Sequence, residues 1–241
     1  MFFDQYTGRG VRIAVIDSGV HAAHPHIGGV AGGFAIREDG SLDDDYVDRL
    51  GHGTAVAAAI REKAPDAEIL AVKVFWRALA TDVATLVRAI DEAAARRASL
   101  INLSLGTADH RHLEQLQAAV ERARRQGSVV VSAIASDGVS WLPGSLPAVL
   151  AVQLDWTFDR DEYRIHDFNG RRAVAASGYP RDIPGVPRDR NLRGISFAVA
   201  NATGFAARAL EASPVADVSS LLAVLDAENS VVARPLKAVR P

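Results

Sequence analysis

Five short runs of apolar residues, rich in Val, Ile and Leu, recur along the chain at 11–16, 69–74, 100–105, 129–134 and 149–154. None alternates apolar with polar positions, which predicts strands covered on both faces, as in a parallel sheet. Between the runs, apolar residues fall at helical spacing. Val83, Leu86, Val87, Ile90 and Ala94 share one face of a segment that Thr81 or Asp82 can cap. Leu113, Leu116, Val120 and Ala123 share a face of the next, which ends at Gly127. Further helices are expected over 54–61, from 196 to about 210 and over 215–225, with 233–241 as a frayed tail. The alternation of strand and helix predicts right-handed crossovers and a doubly wound α/β fold, a mostly parallel sheet flanked by helices on both faces.

The composition narrows the class. With 241 residues, 49% of them hydrophobic, and no Pro/Gly/Ser-rich linker, residues 1–241 read as a single domain. Lys and Arg number 27 against 29 Asp and Glu, a formal net charge of -2, which gives no electrostatic case for nucleic acid or an anionic membrane as partner. The basic clusters Arg96-Arg97 and Arg122-Ala123-Arg124-Arg125 read as solvated helix ends, where cations suit the helix dipole. The absence of cysteine excludes disulfides, thiolate catalysis and a cysteine zinc site. Met1-Phe2-Phe3-Asp4 lacks the basic start and apolar run of a signal peptide, and no apolar stretch is long enough to cross a bilayer, so a cytoplasmic location is expected.

Three segments carry candidate chemistry: Ile13-Ala14-Val15-Ile16-Asp17-Ser18-Gly19, Gly51-His52-Gly53-Thr54 and Gly194-Ile195-Ser196-Phe197-Ala198. They supply an acid, a base and a hydroxyl in the order Asp, His, Ser. A serine hydroxyl is a poor nucleophile unless an imidazole takes its proton, and the imidazole needs a carboxylate to fix its tautomer and balance its developing charge. An isolated Ser at a helix start is ordinarily an N-cap. Beside Asp17 and His52 in their motifs, Ser196 reads as the nucleophile.

On these segments the chain resembles the subtilisin-like serine peptidases, whose triad follows the same chain order. Tyr6-Thr7-Gly8-Arg9-Gly10-Val11, Ile101-Asn102-Leu103-Ser104-Leu105-Gly106, Val129-Val130-Val131-Ser132-Ala133, and the stretch opening Leu142-Pro143-Gly144 resemble further family landmarks in family order. The resemblance implies a serine endopeptidase in which Ser196 attacks a peptide carbonyl, His52 moves the proton and Asp17 orients His52. It implies a peptide or protein substrate, no organic cofactor, and substrate contacts from Ser104, Leu105, Gly106, Ala133, Ala135 and Trp141. Secreted members carry a folding propeptide, for which the early Asp segment leaves no room, so either unaided folding or a prosegment removed by design is expected.

Several positions depart from the family pattern. Where the family places a Gly-Asn pair whose amide completes the oxyanion hole, this chain has Ala135-Ser136. Loss of one such donor lowers turnover by about 10² to 10³, or roughly 2.7 to 4 kcal/mol. Ser136 offers a shorter donor, Asp137 donates only when protonated, and the backbone N–H of Ser196 is the surest remaining group. The family's Thr before the nucleophile is Ile195, its Pro soon after is Ala200, and the His and Gly of the His motif are Ala55 and Ala58. Trp141 stands where a pocket-floor Gly is usual, which predicts either a plugged, small-residue pocket or a core aromatic displaced by a shortened loop. Residues 73–81 lack a Gly-rich edge for gripping an extended peptide.

Metal candidates are weaker. His24-Pro25-His26 and His110-Arg111-His112 lack carboxylates in ligand spacing for zinc. Asp43-Asp44-Asp45 with Asp48 carries charge suited to calcium, which some family members bind, but without a loop pattern, and a solvated acidic loop is the simpler reading. Two functional readings remain open: a selective endopeptidase with a weakened oxyanion hole, or an impaired subtilisin-like peptide-binding or scaffold protein. Oligomeric state is not legible.

Overall fold

The computed structural model describes residues 5–231 apart from residue 216, so the tail expected at 233–241 and the Met1 start lie outside the described residues. In chain order the strands are β1 (Arg12–Asp17), β2 (Gly32–Ile36), β3 (Leu42–Asp43), β4 (Glu68–Lys73), β5 (Leu100–Leu103), β6 (Val129–Ala133), β7 (Ala135–Ser136), β8 (Val139–Ser140), β9 (Val149–Leu154), β10 (Tyr163–Phe168) and β11 (Arg171–Ala176). The helices are α1 (His52–Lys63), α2 (Val83–Ala95), α3 (Leu113–Arg125), α4 (Ile195–Ala212) and α5 (Val218–Val231).

All five apolar runs become neighbouring parallel strands. The sheet has nine strands in the order β10-β11-β9-β6-β5-β1-β4-β2-β3. Only the edge pairs β10·β11 and β2·β3 are antiparallel. Odd-numbered residues of β1 and β4, namely Ile13, Val15, Ile69 and Ala71, pack on the side of α1 and α4. Their even-numbered neighbours Ala14, Ile16, Leu70 and Val72 pack on the side of α2 and α3. Burial on both faces is why no polar alternation marks these strands.

Local signals set the helix ends. The Asp82 carboxylate accepts from the Thr85 N–H at 2.7 Å and starts α2, and Arg96 follows its last residue. Helix α5 starts later than the apolar pattern suggests, because Asp217 accepts from both the Ser220 N–H and its hydroxyl, at 2.9 and 2.7 Å, and leaves Val215 outside. The β10·β11 hairpin has no counterpart in the sequence reading. Its turn is Asn169-Gly170, at φ 54° and 80°, a pair suited to the left-handed conformation that a two-residue hairpin turn requires.

Helix α4 is buried nearly all round and packs against α1, β5, β6, β9 and β11. The carboxyl ends of β1, β5 and β6 therefore meet the amino-terminal ends of α1 and α4 along one crevice. Open α/β sheets bind ligands at this end of the strands.

Candidate active site

Asp17 closes β1 and is fully buried. Its Oδ1 accepts from the Ser18 N–H at 2.7 Å. His52 is the first residue of α1, and its Nδ1 lies 2.8 Å from Asp17 Oδ1 and 3.0 Å from Oδ2. A carboxylate beside Nδ1 holds the ring proton there and leaves Nε2 with its lone pair. Gly53 permits this approach: a Cβ at that position would stand 2.2 Å from the Gly19 carbonyl oxygen and 3.1 Å from Asp17 Cβ.

Helix α1 has no cap from its own N-cap residue Gly51. Asp48 supplies it from a distance. Its Oδ1 accepts from the N–H of Leu50 and Gly51 and from the Ser18 hydroxyl, and its Oδ2 from the N–H and hydroxyl of Thr54, all at 2.6–2.9 Å. Burial pushes the Asp48 carboxyl up, but these hydrogen bonds, led by Thr54, outweigh it and hold it below the ordinary value. Burial likewise pushes His52 down, while the hydrogen bond and charge of Asp17, with the charge of Asp48, outweigh it and raise His52 above the ordinary 6.5.

Ser196 is the second residue of α4, so its N–H has no helical partner by position. Its hydroxyl donates to the Ser104 carbonyl at 3.4 Å, and no hydrogen bond joins it to His52 in this arrangement. A buried polar chain fixes the nucleophile's helix to the sheet. Thr203 Oγ1 donates to Asn102 Oδ1 at 3.0 Å, Asn102 Nδ2 donates to the Ser104 hydroxyl at 3.1 Å, and that hydroxyl donates to the Ser196 carbonyl at 3.3 Å.

His52 and Ser196 share a cavity of about 290 Å³. Of the expected substrate contacts, Ser104, Leu105, Gly106, Ala133 and Trp141 line it, joined by Leu79, and the partly buried Trp141 forms one wall. Ala135 and Ser136 stand outside the lining. They enter the small β7·β8 hairpin, where the Ser136 hydroxyl donates to Asp137 Oδ2 at 2.8 Å. Residues 74–82 form no strand.

The acidic stretch is committed elsewhere. Asp43 pairs with Arg37, Asp45 with Arg49 at 2.7 Å, and Asp48 with the start of α1. Among the described residues no group of three or more His, Asp or Glu side chains is arranged to hold a metal ion, so these carboxylates do not fit a calcium site. His110 and His112 lie in an exposed 3₁₀ turn.

Asp48 and the Asn102–Thr203 pair escaped the sequence reading as site residues. Asn102 carried a signal, as the one polar residue in the run Leu100-Ile101-Asn102-Leu103. A buried amide in such a run requires partners, and here they lie on the nucleophile's helix.

The family model described as "Subtilase family" matches residues 8–154. The chain belongs to the subtilase family. It is 37% identical over 141 residues to Minor extracellular protease Epr of Bacillus subtilis, covering 55% of this chain and 21% of Epr. With Subtilisin E of the same species it shares 29% identity over 218 residues, 83% of this chain and 53% of that one. A cold adapted subtilisin-like serine proteinase of solved structure has the same fold, with a TM-score of 0.70 at 24% identity over 92% of this chain and 83% of that one. This subtilase thus spans about half the length of Subtilisin E, and less of Epr. The cytoplasmic expectation does not stand. Epr is by name an extracellular protease, and with such a relative in the family the character of residues 1–4 carries no weight as to compartment. Among the described residues no helix is long and apolar enough to cross a membrane.

Proposed function

We propose that this subtilase is a serine endopeptidase with Asp17, His52 and Ser196 as its triad, selective for one peptide or precursor protein. The Asp17–His52 contact at 2.8 and 3.0 Å, beside a cavity that Ser196 also lines, carries the reading. Ser196 Oγ attacks the peptide carbonyl carbon as His52 Nε2 takes its proton. His52 then gives that proton to the leaving amine, and water hydrolyses the acyl-serine by the reverse steps. The unpaired first-turn N–H of Ser196 serves as the oxyanion donor, and the missing asparagine amide keeps turnover low. Trp141 in the cavity wall restricts the residue before the scissile bond to small side chains.

A second reading, a peptide-binding protein that cuts poorly, draws support from the Ser196 hydroxyl lying on the Ser104 carbonyl and not on His52. A fluorophosphonate probe separates the two. Labelling that disappears in Ser196→Ala supports the peptidase. No labelling, or labelling that survives the substitution, leaves the binding protein.

A further inference from the structure

A second cleft, of about 420 Å³, opens beside the helix start that carries His52. Gly51 and Thr54 of that start form one side, and Asn191 and Leu192, shortly before Ser196, form another. Its charged lining holds two arginines and one carboxylate, Asp48. Arg181, Arg190, His21, His24 and His26 all line it. The rings of His24 and His26 meet edge to face at 5.1 Å, and those of His21 and His24 at 6.5 Å. Arg181 donates to the His26 carbonyl at 3.3 Å, and Asn191 donates to the Arg181 carbonyl at 3.3 Å, so these contacts join the histidine loop to the loop of Arg181 and Asn191.

The nearby carboxylates are engaged away from Arg181 and Arg190. Asp48 lines the cleft but accepts five hydrogen bonds at the head of α1. Glu62 is held by Lys63 and Arg160, and Asp182 by Arg160. Among the described residues neither Arg181 nor Arg190 pairs with a carboxylate. Burial, the Arg181 charge and His24 together hold His26 below its ordinary value against the pull of Glu62. A concave site with two guanidinium groups that no carboxylate pairs among the described residues, bordered by the exposed Ile183 and Leu192, suits a carboxylate on an aliphatic stem.

The chemistry places this cleft relative to the scissile bond. In that reading His52 hands its proton to the leaving amine, so the leaving-group segment passes beside His52, whose chain neighbour Gly51 lines the cleft. We propose that this cleft is a subsite for an acidic side chain, Glu or Asp, in the part of the substrate that follows the scissile bond. The proposal rests on the endopeptidase reading for its placement.

Quenched-fluorescence peptides with Ala before the scissile bond, and Glu, Gln or Lys at each of the three following positions, test it. At one of these positions kcat/KM for Glu is expected to exceed that for Gln by about five- to tenfold at low salt, shrinking at high salt. The double variant Arg181→Glu, Arg190→Glu is expected to reverse the order in favour of Lys. Arg190→Glu alone, in an exposed turn, is expected to halve the preference or more, with the melting temperature unchanged. Equal rates for Glu and Gln, or a preference that survives both variants, overturn the subsite. Should the wild type cleave no peptide, binding of the same peptides to Ser196→Ala by fluorescence anisotropy decides separately. Tighter binding of Glu than Gln then upholds the cleft while the peptidase reading falls, and equal binding overturns the cleft.

Discussion

Asp48 accepts from both the backbone N–H and the hydroxyl of Thr54, at 2.8 and 2.6 Å, and so caps a helix whose first residue is His52 from outside that helix. Replacing it by Ala strands those donors and the Ser18 hydroxyl. Asp48→Ala is expected to lose about 2 to 3 kcal/mol in urea unfolding, and to lower kcat more than KM because the imidazole loses its seat. Asp48 lies below its ordinary value when folded, so its stabilisation is present above its unfolded pKa and is lost as pH falls through the folded one. Acid unfolding of wild type and variant should therefore converge at low pH.

His52 acts as a base only when neutral. Asp17 raises it above 6.5 despite burial, so the acid limb of kcat/KM is expected above that pH. The linked stability has the opposite sense: it is full below the unfolded value and lost as pH rises through the folded one. Asp17→Asn removes the main raising influences, leaves burial to outweigh the charge of Asp48, and should move the limb below 6.5 while cutting turnover by about 10⁴. A limb that stays in place shows that another group sets it.

Ser136→Asn tests the oxyanion defect. An amide at this position is expected to raise kcat by about tenfold or more, up to the 10² to 10³ that such a donor contributes, with KM little changed. A fall in activity would place the hairpin out of reach of the oxyanion.

Trp141→Ala opens the cavity wall. Relative to an Ala peptide, kcat/KM for a Leu or Phe residue before the scissile bond is expected to rise about tenfold, at a stability cost of a few kcal/mol for the partly buried indole. Parallel assays on the matched peptide pair read this directly.

The parallel core is legible because it leaves local marks, apolar runs and helical spacing, and small residues mark the segments of Asp17, His52 and Ser196, which the fold brings to one crevice. The antiparallel edges were less so, although Asn169-Gly170 marks its turn plainly. Ser136 was assigned to the oxyanion by counting along the chain, and counting cannot see that its hydroxyl turns to Asp137. Asp48 looked like part of an acidic loop, since its role comes from donors at Ser18 and Thr54 that only the fold brings to it. The compartment was misjudged because the chain's first residues bear no relation to the physics of its core.

The β7·β8 hairpin pairs with no strand of the nine-stranded sheet, whereas Ser196 is tied to that sheet through Ser104, Asn102 and Thr203. Ser196 and the Trp141 wall thus reach the same sheet by different contacts, the one across to the end of β5 and the other along the chain from β6. Selection, or an engineer, can retailor residues 135–141 for a new guest without retuning the machinery that cuts it.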